Sequence, residues 1–227
     1  MLTFLRDDWD YSVWSKPPLT ISGASAGDLL LCMKEDDESG TGDECAITGG
    51  AQRTLLATLG DSQAPDPNSR VDAYLLGSGG ELEIDPMGSY DGAGATLFST
   101  DYPLDTATLT RLLERETPSQ HVPSYTPYVN LVGDDIILVL STVKQHCGSS
   151  HDTTDLYKTA GTAVTTRLAH HGVDVWGAGD GFQVSSSLYV VTAGGTFSFC
   201  GFSVHIYRLR TTVKKQYTIA DSNWTLG

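Results

Sequence analysis

Side chains that could bind a metal ion are concentrated in two short stretches of this chain. Residues 146–152 read His-Cys-Gly-Ser-Ser-His-Asp, and imidazole, thiolate and carboxylate groups are all zinc ligands. A structural zinc site generally needs two separated ligand pairs, and no second pair follows at a suitable spacing. His170 and His171 are adjacent, so on a strand they would point to opposite faces and make poor joint ligands. We therefore predict polar loops and strands here rather than a metal site.

The most acidic stretch is residues 34–44, which read Lys-Glu-Asp-Asp-Glu-Ser-Gly-Thr-Gly-Asp-Glu. Oxygen-rich loops bind calcium in many proteins, but this spacing does not fit the alternating-Asp loop that ends in a distant Glu. A solvated loop is the favoured interpretation, and calcium binding is the alternative.

Catalytic motifs find little support in the sequence. It has no Gly-x-Ser-x-Gly elbow and no Gly-rich phosphate loop that ends in Lys. Acidic pairs such as Asp7-Asp8 and Asp134-Asp135 stand in capping or turn contexts, where Asp belongs for backbone reasons. We predict a protein that is not an enzyme, with no catalytic residues and no cofactor. A hydrolase that uses paired carboxylates on a β-scaffold is an alternative.

Aromatic residues near both ends are the candidate partner-docking residues. They would pack either on their own sheets or on a neighbouring subunit. These residues are Trp9, Tyr11, Trp14, Tyr217 and Trp224. A separate candidate is Trp176, whose glycine-rich surroundings at a strand end suit a glycan-binding loop.

Charge is distributed unevenly along the 227 residues. Residues 1–110 hold 19 acidic and five basic residues, a net charge of −14, whereas residues 111–227 hold nine of each. Nucleic-acid binding is disfavoured, because phosphate contacts need clustered Lys and Arg. The acidic half either orients the subunit on a partner or serves solubility alone.

The cellular setting follows from patterns that a membrane or secreted protein would show. No apolar run approaches the roughly 18 residues of a membrane span. The N-terminal residues are acidic where an export signal would be basic, so we expect folding in a cytoplasm and no membrane partner. The four cysteines form no Cys-x-x-Cys pair, and we expect free thiols.

Two pairs of similar segments indicate an internal repeat. The segment that begins Gly27-Asp28-Leu29 resembles the one that begins Gly133-Asp134-Asp135, at an offset of 106. Residues 74–84 resemble residues 189–199, at an offset of 115, and both contain a Gly-Gly pair between strands, which predicts a hairpin. Chance similarity of strand sequences is the competing explanation.

These patterns predict an all-β fold, a jelly-roll-like β-sandwich of about ten strands in two pseudo-repeated halves. The halves are residues 19–104 and 123–210 of a sandwich that spans 19–210, with an N-terminal arm at 1–18 and a C-terminal arm at 211–227. Two separate domains are the alternative. One short helix, 105–117, is predicted to connect the halves, because Asp105 can cap it and Leu109, Leu112 and Leu113 have helical spacing.

Several segments together resemble a group of tailed-bacteriophage virion structural proteins. The resemblance begins with Leu19 to Leu31, which ends in Gly-Asp-Leu-Leu-Leu. It continues through residues 71–76 and Pro103-Leu104-Asp105, and it restarts at Gly133-Asp134, so that it covers about residues 19–207. It implies a β-sandwich of the virion surface and no catalytic residues.

The expected function is accordingly that of a non-enzymatic structural protein of a tailed-phage virion, most simply a capsid decoration or cement protein. Its partners would be the major capsid protein or other virion proteins, it would form a homo-oligomer, and it would assemble into virions in the host cytoplasm. A tail- or fibre-associated module that binds host glycans through Trp176 is the other binding alternative.

Overall fold

The computed structural model describes residues 2–10, 18–35, 44–49, 52–61, 69–85, 92–100, 103–115, 124–143, 160–175, 182–201 and 203–211. All regular structure in these residues is β-strand, which confirms the all-β prediction. The strands of the first half are β1 (Leu2–Asp10), β2 (Leu19–Ala24), β3 (Leu29–Glu35), β4 (Ala46–Thr48), β5 (Arg53–Asp61), β6 (Ser69–Leu76), β7 (Gly80–Asp85) and β8 (Gly92–Thr100). Those of the second half are β9 (Leu104–Arg115), β10 (Ser124–Tyr125), β11 (Val129–Leu131), β12 (Ile136–Val143), β13 (Ala160–Gly161), β14 (Val164–Val175), β15 (Phe182–Ala193), β16 (Gly195–Ser198), β17 (Cys200–Gly201) and β18 (Ser203–Thr211).

The same sheet order occurs twice along the chain. The first half forms a five-stranded sheet, β1-β8-β3-β6-β5, and a three-stranded sheet, β2-β7-β4. The second half repeats both, as β9-β18-β12-β15-β14 and β11-β16-β13, and adds the short pair β10-β17. Two pseudo-repeated halves are therefore present as a duplicated topology, while jelly-roll connectivity stays a prediction.

The central strands β3 and β12 are apolar at nearly every position because both of their faces are buried. In β3, Leu29, Leu31 and Met33 enter one hydrophobic core, whereas Leu30 and Cys32 enter another. A strand that alternates between apolar and polar residues has one solvent-exposed face, whereas a strand with a continuous apolar run has none. The Gly-Asp-Leu-Leu-Leu pattern thus marks the middle strand of a layered structure.

Three hydrophobic cores separate four layers of sheet. The first core lies between the two sheets of the first half, and another lies between the two sheets of the second half. The central core joins the halves, because it combines Leu31 and Val71 of one five-stranded sheet with Leu138 and Leu188 of the other. The hydroxyl of Tyr207 on β18 also donates to a carbonyl of β5, so a polar contact crosses the same interface.

The predicted connecting helix, residues 105–117, is wrong: Leu104–Arg115 is strand β9, which pairs with β18. Its register with β18 shifts between Leu113 and Arg111, so Leu112 is an extra residue in the strand. Leu112 and Leu113 consequently both pack on the second-half core, while Leu109 packs on the central core. A bulged strand has here imitated the spacing of a helix.

The two Gly-Gly segments do not close hairpins, contrary to the prediction. β6 and β7 belong to different sheets, and so do β15 and β16. A side chain on Gly79 would collide with the backbone of Ala24 and Ser25, so glycine is needed where the chain crosses between sheets against another strand. The glycines mark a corner of the sandwich in both halves.

One further expectation, that of a separate N-terminal arm, is revised. The described part of the N-terminal arm is strand β1, which pairs with β8 as part of the first half's own sheet. β18 is buried on both faces, because Val204 and Ile206 face the second-half core while Tyr207 and Leu209 face the central core. The C-terminal arm lies outside the described residues beyond Thr211.

Candidate functional site

An aspartate-capped turn opens the central strand of each half. The carboxylate of Asp28 accepts a hydrogen bond from the N–H of Ser25 at 2.8 Å. The carboxylate of Asp135 accepts the corresponding bond from the N–H of Val132 at 3.0 Å. Such a bond satisfies a turn amide locally, as Asp commonly does at these positions. Both aspartates are buried, at 4% and 0% exposure, so the turn is part of the folded core.

These turns give the true register of the repeat. Gly27 and Asp134 precede the two capping aspartates, and both have a positive φ, 90° and 69°. The structural equivalent of Gly27 is therefore Asp134 and not Gly133, and the offset at this turn is 107 residues rather than 106. Asp tolerates the left-handed region better than most residues, which is why the replacement is allowed.

The two capping aspartates differ in their charged neighbours. Asp135 is paired with Arg210, whose Nε donates to Oδ1 at 3.0 Å. The Nε of Arg208 lies 2.7 Å from Oδ2 as an ion pair without hydrogen-bond alignment. The β8 positions that correspond to Arg208 and Arg210 hold Leu97 and Ser99. Burial raises the pKa of Asp28, and the hydrogen bond from the Ser25 amide only partly opposes this. The first turn thus holds a desolvated carboxyl and the second a neutralised one.

A buried ionic cluster lies within the first half, on β5 and β6. The carboxylate of Asp72 is 1% exposed and accepts hydrogen bonds from the Thr58 hydroxyl and from Nε of Arg70, both at 2.7 Å. Nearby, the hydroxyl of Tyr74 donates to Glu44 at 2.8 Å. The Thr58 bond joins β5 to β6, the Arg70 bond lies within β6, and the Tyr74 bond ties the loop before β4 to the sheet. They stabilise the sandwich, and such buried pairs favour a specific packing more than they add net stability.

The buried thiols of Cys32 and Cys45 and the phenol of Tyr74 are not activated as nucleophiles. Desolvation raises the pKa of the Cys45 thiol to about 12 and raises that of Cys32 well above its usual value. The phenol of Tyr74 also has a raised pKa, first because it is buried and then because Asp72 and Glu44 lie close. A nucleophilic Cys needs a depressed pKa, so these groups are suited to packing and hydrogen bonding.

The exposed face of the first three-stranded sheet is acidic. In β7, Leu82 and Ile84 point into the core, while Glu81, Glu83 and Asp85 are exposed on the other side. The positions that correspond to Glu81 and Glu83 at the offset of 115 are Thr196 and Ser198 in the second half. The charge asymmetry of the sequence is therefore carried partly by this one sheet face.

The turn ends of the two halves, which we call tips, also differ. In the second half, Val132 in the turn before β12 is 52% exposed, and Val164 at the start of β14 is 57% exposed. Sequence reasoning missed these residues. They stand out only when the two halves are aligned with the corrected register, because polar residues occupy the equivalent positions of the first half. The second-half tip consists of Val132, Val164 and Ala193, and the first-half tip of the equivalent Ser25, Gln52 and Ser78.

The predicted docking aromatics are not brought together in the described residues. The backbone of Trp9 lies in β1, opposite Gly94 of β8. Tyr11, Trp14, Tyr217 and Trp224 lie outside the described residues. The glycan-binding candidate Trp176 also lies outside them, immediately after the end of β14. These assignments stay predictions.

Most of the candidate metal-binding residues also lie outside the described residues. Residues 146–152 and most of the 34–44 loop lie outside the described residues. The backbones of His170 and His171 are successive positions of β14, as expected. Among the residues that the structure describes, no group of His, Cys, Asp and Glu side chains is arranged to hold a metal ion. Over those same residues, no helix is long and apolar enough to cross a membrane.

Comparison with known proteins adds no relative: no family model, no curated protein and no solved structure matches this chain.

Proposed function

We propose that this chain is a non-enzymatic structural protein of a tailed-phage virion, and specifically a decoration or cement protein of the capsid. The observation that carries the proposal is the contrast between two halves of one topology. One half presents the acidic face of Glu81, Glu83 and Asp85, and the other presents exposed valines at its tip. A subunit held between a particle and solvent needs such unlike surfaces, whereas duplication alone would make them alike.

The chemistry of the buried groups agrees with this role. Asp28 and Asp135 cap turns, and Asp72 joins neighbouring strands, so each has a structural use. The resemblance to virion proteins begins at Leu19–Leu31, which here supplies β2, the capped turn and the start of the middle strand β3. The residues that carry the resemblance are thus framework residues.

The major capsid protein or another virion protein would be the partner, and the aromatic residues near the chain ends are further predicted contacts. Homo-oligomerisation stays a prediction that sedimentation of the purified chain measures. Assembly in the host cytoplasm and residence in the virion belong to the same proposal.

The proposal is tested by measuring the chain in phage particles purified through a density gradient. Peptide mass spectrometry should find it at a copy number comparable with that of the major capsid protein. Only a few copies per particle would indicate a position in the tail, as the glycan-binding alternative requires. Its complete loss during purification, although it is abundant in the lysate, would overturn the assignment to the virion.

A further inference from the structure

The two five-stranded sheets pack on each other in the way that the subunits of a twofold dimer do. In the sheet order, β3 corresponds to β12, β6 to β15, β5 to β14 and β8 to β18. β5 packs on β12 and β18, as its equivalent β14 packs on β3 and β8, and β3 packs on β15, as β12 packs on β6. β6 and β15 pack on one another, and among the described residues only the contact of β1 with β14 has no counterpart of similar extent. Such reciprocal contacts define a twofold interface, and its axis passes between β6 and β15.

The residues that β3 and β12 contribute to the central core obey the same symmetry. Both strands present three large apolar side chains to it, and the two sets are separated by the same offset of 107 residues as the capped turns. They are Leu29, Leu31 and Met33 in β3 and Ile136, Leu138 and Leu140 in β12. Each half also encloses a hydrophobic core of its own. The central core therefore lies between two similarly built units, each with its own interior.

One polar contact of this interface is not repeated. In the second half, Nδ1 of His205 lies 3.2 Å from the carbonyl oxygen of Thr58 on β5, and the hydroxyl of Tyr207 donates to the same oxygen at 3.3 Å. Both rings are buried. The equivalent first-half positions hold Gly94 and Thr96, because each lies opposite the corresponding residue of its middle strand. Two first halves would place these small residues against Thr58, so that the hydrogen bonds would be lost and the volume of two rings would be empty.

Charge favours the same pairing. Residues 1–110 carry a net charge of −14, whereas residues 111–227 are neutral overall. Two first halves would repel one another, but a first half meets no such repulsion from a second half. Both the shape and the charge of the interface therefore select opposite halves.

We propose that the chain is a fused twofold dimer, that the central face of each half is a docking surface for the opposite half, and that a second copy of this chain supplies that partner when two copies exchange halves. The strands of the first half end at Thr100 and those of the second begin at Leu104, so the chain crosses between the two sets of strands once. Residues 101–103 are the whole connection. Exchange would join two copies through the complete central core and would need no new surface. This inference goes beyond the proposed function and does not depend on it.

The test cuts the connection in the folded protein. A protease recognition site is inserted between Tyr102 and Pro103 of the full chain, which is purified and then cleaved. Cleaved samples with and without a heavy-isotope label are mixed and incubated in urea just below the unfolding midpoint. After the urea is removed, native mass spectrometry measures which fragments are bound to each other. A mixture of uncut chains is the control, because the covalent link keeps both halves of one copy together.

The expected result is a one-to-one complex of the two fragments, together with hybrid complexes that combine a labelled half with an unlabelled one. Tyr207→Thr, which installs the residue of the first half, should raise the dissociation constant of the cleaved complex about tenfold or more. The matched control Tyr207→Phe keeps the ring and should raise it less. Circular dichroism of the uncut variants checks that folding is intact.

Three outcomes would overturn the proposal. Fragments that unfold or precipitate after cleavage would show that the halves are not subunits. Homodimers of the first fragment would show that the interface does not select opposite halves. One-to-one complexes that never form hybrids would show that a second copy does not supply the partner.

Discussion

Asp28 and Asp135 make the same turn with different electrostatic surroundings, so they separate the effect of burial from that of ion pairing. Both accept a backbone N–H and both are buried. Asp135 alone has two arginine partners, Arg208 and Arg210. Removing one member of a buried ion pair leaves the remaining charges uncompensated, which is costly.

We therefore expect Asp135→Asn to lower the free energy of unfolding by about 2–4 kcal/mol, because it leaves two arginines beside a neutral amide without their carboxylate partner. Asp28→Asn is the matched control: it keeps the acceptor for Ser25 and removes a charge that burial disfavours, so its cost should be below about 1 kcal/mol. Urea denaturation of both variants measures the difference. Equal losses would show that the arginines contribute nothing to the turn.

The raised pKa of Asp28 also predicts the direction in which the stability of the fold changes with pH. Burial raises its folded pKa above the ordinary value of 3.8, so protonation favours the folded state. The stability that this group contributes is present at low pH and is lost as pH rises through the folded pKa. The stability of Asp28→Asn relative to wild type should consequently increase with pH above 3.8. Urea titrations between acid and neutral pH measure this difference, and a decrease would mean that the carboxylate is stabilised by a charge instead.

At the scale of single elements, the middle strands were predictable and the connections were not. β3 and β12 follow from short, continuous apolar runs that begin after Gly-Asp turns, which is typical of strands buried on both faces. The β9 segment has leucines at helical spacing, but an extra residue at Leu112 produces that spacing in a strand. Sequence periodicity cannot distinguish these cases, because a bulge shifts the faces without leaving a local signature.

The candidate site was hidden for a related reason. Val132 and Val164 are unremarkable in the sequence until they are set against Ser25 and Gln52. That comparison needs the register of the turn, and matching Gly27 to Gly133 misplaced it by one residue because Asp134 takes the positive φ. Hydrogen bonds identified the equivalent residues where residue types did not.

Gly161, the second residue of β13, gives a prediction for the edge of the second small sheet. It has a φ of 129°, and a side chain there would collide with the backbone of Thr196 on β16. Gly161→Ala should therefore cost more than about 2 kcal/mol, since conformational strain and a backbone clash add. Gly27→Ala is the control, because Gly27 has a φ of 90° with open space around it, and strain alone should cost about 1 kcal/mol. Thermal unfolding compares the two, and equal costs would contradict the close packing of β13 on β16.

At the scale of the whole molecule, the central core makes the halves interdependent. Leu138 is completely buried there, on the face of β12 that meets the first half, and belongs to the same core as Leu31 of β3. The halves therefore should not unfold as independent domains, although each contains a core of its own.

Leu138→Ala should lower stability by about 2–5 kcal/mol, because it leaves a cavity between the two five-stranded sheets. Hydrogen exchange read by mass spectrometry should then show faster exchange of the slowest amides in β3 as well as in β12. Faster exchange confined to second-half peptides would mean that the halves are separate domains.

The duplicated body with unlike surfaces is the basis for the proposal that the chain lies on the outside of a virion. The measurement that tests this claim most directly is a cryo-electron microscopy map of the native particle. We predict density for the four-layered β body at regular positions on the outer capsid surface, with the acidic face of β7 toward solvent. A particle whose outer surface lacks this body, or one that holds it inside the shell, would contradict the account.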